Sequence, residues 1–190
     1  MITDTGKGNI IKGVVPDTLN LRFLGNDNKV VIYQNSKISG GIVFFGNGGL
    51  FSIADESEIK AFNCAFEDNG SSFVMGSGVC IYEGLQVGVL EGRRISIGDG
   101  CLLSRNMRIR TGDSHRILDL QTGSRLNPGK DIELGKHVWC GESVVILKGA
   151  KIGDGCTVGM NSVVTKQFPS NCTIAGNPAR VIRAGTKWEQ

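Results

Sequence analysis

The sequence predicts an all-β chain wound as a parallel β-helix, and three features carry that prediction. Residues 132–167 repeat every six positions. Glycine is abundant, at 28 of 190 residues, while proline is held to 4 and aromatics to 6%. That composition suits a fold of many turns and short apolar strands, not collagen or a disordered chain. Finally, one stretch, T-G-D-S-H-R-I-L-D-L-Q-T-G at residues 111–123, breaks the rhythm that surrounds it.

The repeat is plainest as the hexads I-E-L-G-K-H, V-W-C-G-E-S, V-V-I-L-K-G, A-K-I-G-D-G, C-T-V-G-M-N and S-V-V-T-K-Q. Third positions are Leu134, Cys140, Ile146, Ile152, Val158 and Val164, all apolar. First positions are Ile132, Val138, Val144, Ala150, Cys156 and Ser162, all small or β-branched. Apolar residues two apart make a short strand with one buried face. Glycine after the strand permits a tight corner. Strand and corner every six residues is the hexapeptide β-helix pattern, with three hexads closing one triangular coil.

Upstream the pattern continues with slips. Ile97, Leu103 and Ile109 read as inward, as do Met75, Ile81 and Val87, then Ile53, Ile59 and Ala65, then Ile32, Ile38, Phe44 and Leu50. Residues 32–167 thus give about six coils and a prism about 30 Å long, at one strand spacing per coil. The open strand edges at its two ends need covers. Residues 1–31 and 168–190 fall outside the hexads and are the candidates, an N-terminal cap and a short C-terminal cap. The chain reads as one domain, 1–190, with coils over 32–167 and an excursion loop over 110–131.

Bulk properties exclude several functions. The net charge of +3 gives no global pull toward nucleic acid, and no basic stripe carries stacking aromatics. No apolar run approaches a membrane span, and the first residues, M-I-T-D-T-G-K-G-N-I, lack a signal core. A cytoplasmic protein is expected. The cysteines (Cys64, Cys80, Cys101, Cys140, Cys156, Cys172) contain no C-x-x-C pair and read as buried free thiols.

The loop is the first place to look for function. From Ile109 to Leu134 is 25 residues, one more than four hexads, so the chain leaves the prism and returns out of phase. Insertions on a rigid scaffold often carry function. This one holds Asp113, His115, Asp119 and Asn127. Its plain reading is a solvated insertion.

Several motifs together identify a family: I-S-I-G-D-G-C, G-D-S-H with N-P following, I-E-L-G-K-H-V-W-C-G, I-L-K-G-A-K-I-G-D-G, N-S-V-V-T-K-Q-F-P and A-G-N-P-A-R-V-I-R. From about residue 95 to 183 the chain resembles the left-handed β-helix acyltransferases, and within them the polysaccharide and sialic acid O-acetyltransferases. The resemblance supplies the left hand, which the period does not. It implies acetyl-CoA as co-substrate, a homotrimer with sites between adjacent prisms, and transfer of acetyl to a hydroxyl of a sugar or cell-surface polysaccharide.

The same resemblance places His115 at the family's catalytic histidine. An imidazole near its ordinary pKa suits proton removal from a hydroxyl near neutral pH. Trp139 lies between inward Val138 and Cys140, so its ring points outward. It is either plain interface packing or, as the resemblance implies, a wall of the acyl site. Family geometry also puts the N–H of Gly141 or a neighbour toward the acetyl group, and Gly159 and Met160 along the pantetheine arm. Lys148, Lys151, Lys166, Arg180, Arg183 and Lys187 bias residues 144–188 toward positive charge, as coenzyme A phosphates would want. The motif matches single out Thr165, Lys166, Arg180 and Arg183, with Pro178 shaping the adenine end. Asp113 and Arg110 are placed on the acceptor side. Asp113 steers the loop or acceptor, or else forms an Asx turn beside Gly112.

His137 occupies a corner and reads as exposed. Two histidines in all speak against a three-histidine zinc site, so no metal is expected. None of the cysteines matches a family nucleophile, which implies direct transfer in a ternary complex. Arginines around the loop favour an anionic acceptor or simply decorate the surface. Two other readings remain: an N-acetyltransferase on an amino sugar or small xenobiotic, and a non-catalytic structural β-helix. The mixed outward residues Glu133, Trp139, Val145, Lys151 and Thr157 disfavour the latter, which would need one uniform face.

Overall fold

The computed structural model describes residues 1–189. Its strands lie on three faces that close a triangular prism. The first face stacks Ile10–Gly13, Lys29–Ile32, Leu50–Ile53, Ser72–Met75, Arg94–Ile97, Ile132–Leu134, Lys151–Ile152 and Gln167–Phe168. The second begins with Ile2–Asp4 and Leu19–Phe23 and ends with Gln86–Val89, Arg108–Arg110, Val145–Leu147 and Val163–Val164. The third runs through Cys80–Glu83, Leu102–Arg105, Trp139–Cys140 and Thr157–Val158 to Cys172–Gly176. Two long strands, Lys37–Phe44 and Glu58–Phe66, turn the corner from third face to second. Every pairing between coils is parallel, as a chain winding one way requires.

Residues 1–31 are coil as well as cover. Ile2–Asp4 pairs with Leu21–Phe23, and Ile10–Gly13 with Lys29–Ile32, in the register of the later coils. The first face therefore has eight strands, and the prism is about 34 Å long rather than 30 Å.

Inward side chains stack in columns. One runs Ile32, Ile53, Met75, Ile97, Leu134, Ile152 and Phe168. Its spacing explains the upstream slips. Steps of 21, 22 and 22 residues separate its first four members, against 18 from Leu134 to Ile152. The longer coils enclose a phenylalanine core. Phe23, Phe44 and Phe66 stack at 5.2 and 4.3 Å between ring centroids, and Phe51 lies 5.4 Å from Phe73. Small Ala150, Cys156 and Ser162 fill the tight later coils. The longer repeat also overturns two expected inward positions. Leu50 and Ala65 are half-buried, and Phe51, Cys64 and Phe66 take the interior.

The extra residues sit in corners between the second and first faces. There Asn26, Asn47 and Asn69 form a ladder, each side-chain oxygen accepting from a backbone N–H one coil before, at 2.7–2.8 Å. The excursion leaves from this same corner two coils further on, between Arg108–Arg110 and Ile132–Leu134. Past Cys172–Gly176 the chain reverses through the cis Asn177–Pro178 bond into Ala179–Ala184, which pairs antiparallel and covers the third-face edge. Gln190 lies outside the described residues.

Candidate active site

The loop is rigidly tied to the prism. Thr111, fully buried, accepts the Lys130 N–H at its carbonyl (3.0 Å) and exchanges two hydrogen bonds with Leu90 through its hydroxyl. Arg125 donates to both oxygens of Glu91 at 2.8 and 2.6 Å, and Gly129 N–H adds a third bond to that carboxylate. The Arg125 guanidinium, then the Gly129 amide, hold the Glu91 carboxyl below its usual range. At the tip, Leu118 and Arg125 form an antiparallel bridge, and Asp119 Oδ1 accepts from Gln121, Thr122 N–H and the Thr122 hydroxyl.

Asn127 is the loop's buried polar centre, only 7% exposed. Its amide donates to Asp113 Oδ2 and to the His115 carbonyl, both at 2.8 Å, and its oxygen accepts the Ile117 N–H at 2.6 Å. Lys148, from the next coil, pairs with Asp113 and donates to the Asn127 carbonyl at 3.1 Å. Lys148, aided by Asn127, holds the Asp113 carboxyl below its usual range. Asp113 thus anchors the loop, and no Asx turn is formed: the His115 N–H bonds the Asp113 carbonyl, not its carboxylate. His115 follows Ser114, whose φ is +65°. It is exposed, and its ring makes no hydrogen bond among the described residues.

On the third face Trp139 points outward, 38% exposed. Its neighbours in register are Leu102 and Thr157. His137, as expected, is an exposed corner residue, with φ +52° where Gly100 and Gly155 stand in the coils above and below. Its ring stacks on Trp188 at 4.1 Å, and Trp188 Nε1 donates to the His137 carbonyl at 2.8 Å. Trp188 lies 6.1 Å from Trp139. Sequence reasoning overlooked it because the C-terminal segment has no periodicity to place it.

The expected Gly141 donor is already used, as is the N–H of Gly159. Gly141 N–H bonds the Val158 carbonyl and Gly159 N–H the Ile174 carbonyl, each at 2.8 Å. The strand ladder therefore claims Gly141, and its N–H does not face an acetyl group. Met160 is 63% exposed at the corner after Gly159. Lys148 is spent on Asp113, Lys151 on Glu133 at 3.4 Å and Lys187 on Glu189. Lys166, Arg180 and Arg183 pair with no carboxylate among the described residues; Lys166 lies over the Phe168 ring and Arg180 bonds the Pro178 and Ala179 carbonyls. Burial pushes the Cys101 thiol up to about 11 and raises Cys140 and Cys64 further from reactivity.

The expected site residues fall into two sets. Arg110, Asp113, His115, Thr165 and Lys166 cluster along the corner between second and first faces, where Thr165 and Lys166 connect Val163–Val164 to Gln167–Phe168. Trp139, Pro178, Arg180 and Arg183 belong to the third face, with Gly141, Gly159 and Met160 at its junction with the second. In a triangular section the third face is the side opposite the loop corner. One chain does not bring the two sets together.

A triangular parallel β-helix that throws one loop from a corner is the architecture of hexapeptide-repeat transferases. The family model for bacterial transferase hexapeptide repeats matches residues 131–166. A polysialic acid O-acetyltransferase of Escherichia coli O1:K1 / APEC is 34% identical over 84% of this chain and 44% of its own length. That of Neisseria meningitidis is 36% identical over 74% of this chain and 65% of its own. The chain thus spans less than two thirds of either curated relative. The crystal structure of the polySia-specific acetyltransferase NeuO superposes with a TM-score of 0.94 at 31% identity, over 100% of this chain and 88% of that one. The chain belongs to the hexapeptide-repeat O-acetyltransferase family, with its left-handed β-helix.

Proposed function

We propose that the chain is an acetyl-CoA-dependent O-acetyltransferase that acetylates a hydroxyl of a sugar in a polysaccharide, in a site shared by two chains of a homotrimer. The observation that carries this reading is the division of the site residues. His115 stands on a braced loop at one corner, and Trp139 and the unpaired arginines stand on the opposite face. A second copy that seats its third face against the loop would complete the site, and rotation about a threefold axis would repeat it.

Acetyl-CoA supplies the acyl group as a thioester. Lys166, Arg180 and Arg183 provide cations for its phosphates, and Trp139 an apolar wall. His115 takes the proton of the acceptor hydroxyl as the oxygen attacks the acyl carbon, and returns it to the departing sulfur. Five of the six thiols are buried and burial pushes Cys101 up to about 11, which supports direct transfer over a covalent cysteine route. Six free cysteines fit a reducing, cytoplasmic setting. The polysialic acid activity of the relatives makes a carboxylate-bearing sugar the first acceptor to try. Acetyl-CoA turnover should be followed by thiol release against a panel of sialic acid oligomers, neutral sugars and amino sugars. Transfer only to amines would replace the O-acetyl reading, and no transfer with no binding of coenzyme A would return the chain to a structural role.

A further inference from the structure

The second face has a hollow that, Arg110 at its loop end apart, lies outside the site residues described so far. Its outward side chains run in columns along the prism axis. One column reads Arg22, Val43, Ala65, Gly88 and Arg110 on five successive rungs. Small residues in the middle sink the floor, and an arginine closes each end. Beside it Asn20, Asn63 and Gln86 line up in register and end at Arg108. Together they enclose a groove of about 360 Å³. Four strand spacings make it about 19 Å long.

Charge and direction both point to a ligand. Arg22 is exposed and has no ion-pair partner among the described residues. Among the described residues Arg108 meets only the Gln86 amide oxygen, at 3.4 Å. Arg110 shares the groove's one acidic side chain, Glu67, at 3.2 Å, so three guanidinium groups face one carboxylate. Arg110 also donates to Ser114 Oγ at 2.8 Å, and Ser114 adjoins His115. The groove therefore ends at the foot of the loop.

We infer that this groove holds a polymer of carboxylate-bearing sugars, laid along the prism axis and directed toward His115. Guanidinium forks match carboxylates bidentately. The amide column can pair with hydroxyl and N-acyl groups, and the shallow floor of Val43, Ala65 and Gly88 admits sugar rings. A peptide strand finds no purchase here, because the backbone is already paired on both sides of each rung. The direction toward His115 rests on the acetyl-transfer reading; the groove and its ligand class do not.

Binding to the full chain without acetyl donor separates the two. Calorimetry with sialic acid oligomers of one, three and five residues should show affinity rising with length, with maltopentaose far weaker. Arg22→Glu, about four rungs from the loop, and Ala65→Phe, which fills the floor, should each cost roughly tenfold in affinity for the pentamer. Both positions face outward, so melting temperature and assembly mass by light scattering should match the wild type. Affinity independent of length, equal binding of maltopentaose, or an altered assembly mass in Arg22→Glu, which would mark a subunit interface, overturns the inference. A wild-type protein that acetylates sugars yet shows no length dependence defeats the groove alone. One that binds with length and charge dependence yet transfers nothing defeats the acetyl-transfer reading and leaves the groove standing.

Discussion

Asn127 Nδ2 lies 2.8 Å from Asp113 Oδ2 and 2.8 Å from the His115 carbonyl, so one buried amide spans the segment that presents the histidine. A buried polar group with its partners satisfied specifies a unique geometry, and removing it leaves those partners unpaired. Asn127→Ala should therefore damage positioning more than global folding. Its cost falls on the loop, about 1–3 kcal/mol of local stability, with turnover down at least tenfold and the melting temperature moved by only a few degrees. Hydrogen exchange of residues 111–130 would check this; unchanged protection there would refute it.

The Asp113–Lys148 pair has a defined pH window. Lys148 holds the folded Asp113 carboxyl below the 3.8 of an unperturbed aspartate. A depressed pKa contributes stability above the unfolded value and loses it as pH falls through the folded one. Loop anchoring is then complete at neutral pH and fails only below about pH 4. Lys148→Met should weaken the loop across the neutral range instead. The Asp113 side chain is 40% exposed, so the effect is modest and screened by salt. Loop protection against protease, followed from pH 7 to pH 3 in both proteins, measures it.

Much of this was legible in sequence because a hexad is a local rule. Each apolar pair at first and third position predicts its own burial, and Leu134 through Val164 all point inward. Upstream the rule is diluted by corners that carry extra residues, which is why the hexad count points to Leu50 where Phe51, one position on, takes the interior. The loop's existence followed from lost phase, but its bracing did not. Glu91 and Arg125 are 34 residues apart, and nothing periodic links them. Lys148 counts toward the basic bias of residues 144–188, because charge counts along a segment do not reveal which cations already have partners.

The tryptophan beside Trp139 gives a further test. Trp188 stacks on His137, bonds its carbonyl and flanks Trp139. Trp188→Ala should lower the melting temperature by several degrees, as expected when a large, mostly buried aromatic is truncated. It should also raise KM for acetyl-CoA, since Trp139 loses its neighbour. Trp188→Phe keeps the stack but not the N–H bond, and should recover most of the stability. Equal losses in both variants would assign the effect to the hydrogen bond alone.

The thiols should be silent. Burial raises Cys64, Cys101 and Cys140, and Cys172 is pushed up to about 11 by burial and its neighbour Cys156. The thiolate is the reactive form. Folded protein treated with iodoacetamide at pH 7.5 should keep full activity, with any early label at half-buried Cys80. Rapid inactivation tracking a label at Cys101 or Cys140 would reopen a covalent route.

The placement of His115 and Trp139 on opposite sides of one prism makes a sharper demand. If each site takes its histidine from one chain and its tryptophan from the next, His115→Ala and Trp139→Ala should complement. Alone, His115→Ala should lose roughly 10²–10⁴ in turnover, the usual contribution of a general base. Assembled together at equal dose, half of all loops keep His115 and half of all third faces keep Trp139. With random mixing in a closed ring, about one site in four then has both. The mixture should recover about a quarter of wild-type activity, while separately folded proteins combined afterwards recover none. Kinetics on co-refolded proteins, with mass by light scattering, reads the result. Activity no higher than the mean of the two single variants would place both residues in a site built by one chain, against the geometry of the prism.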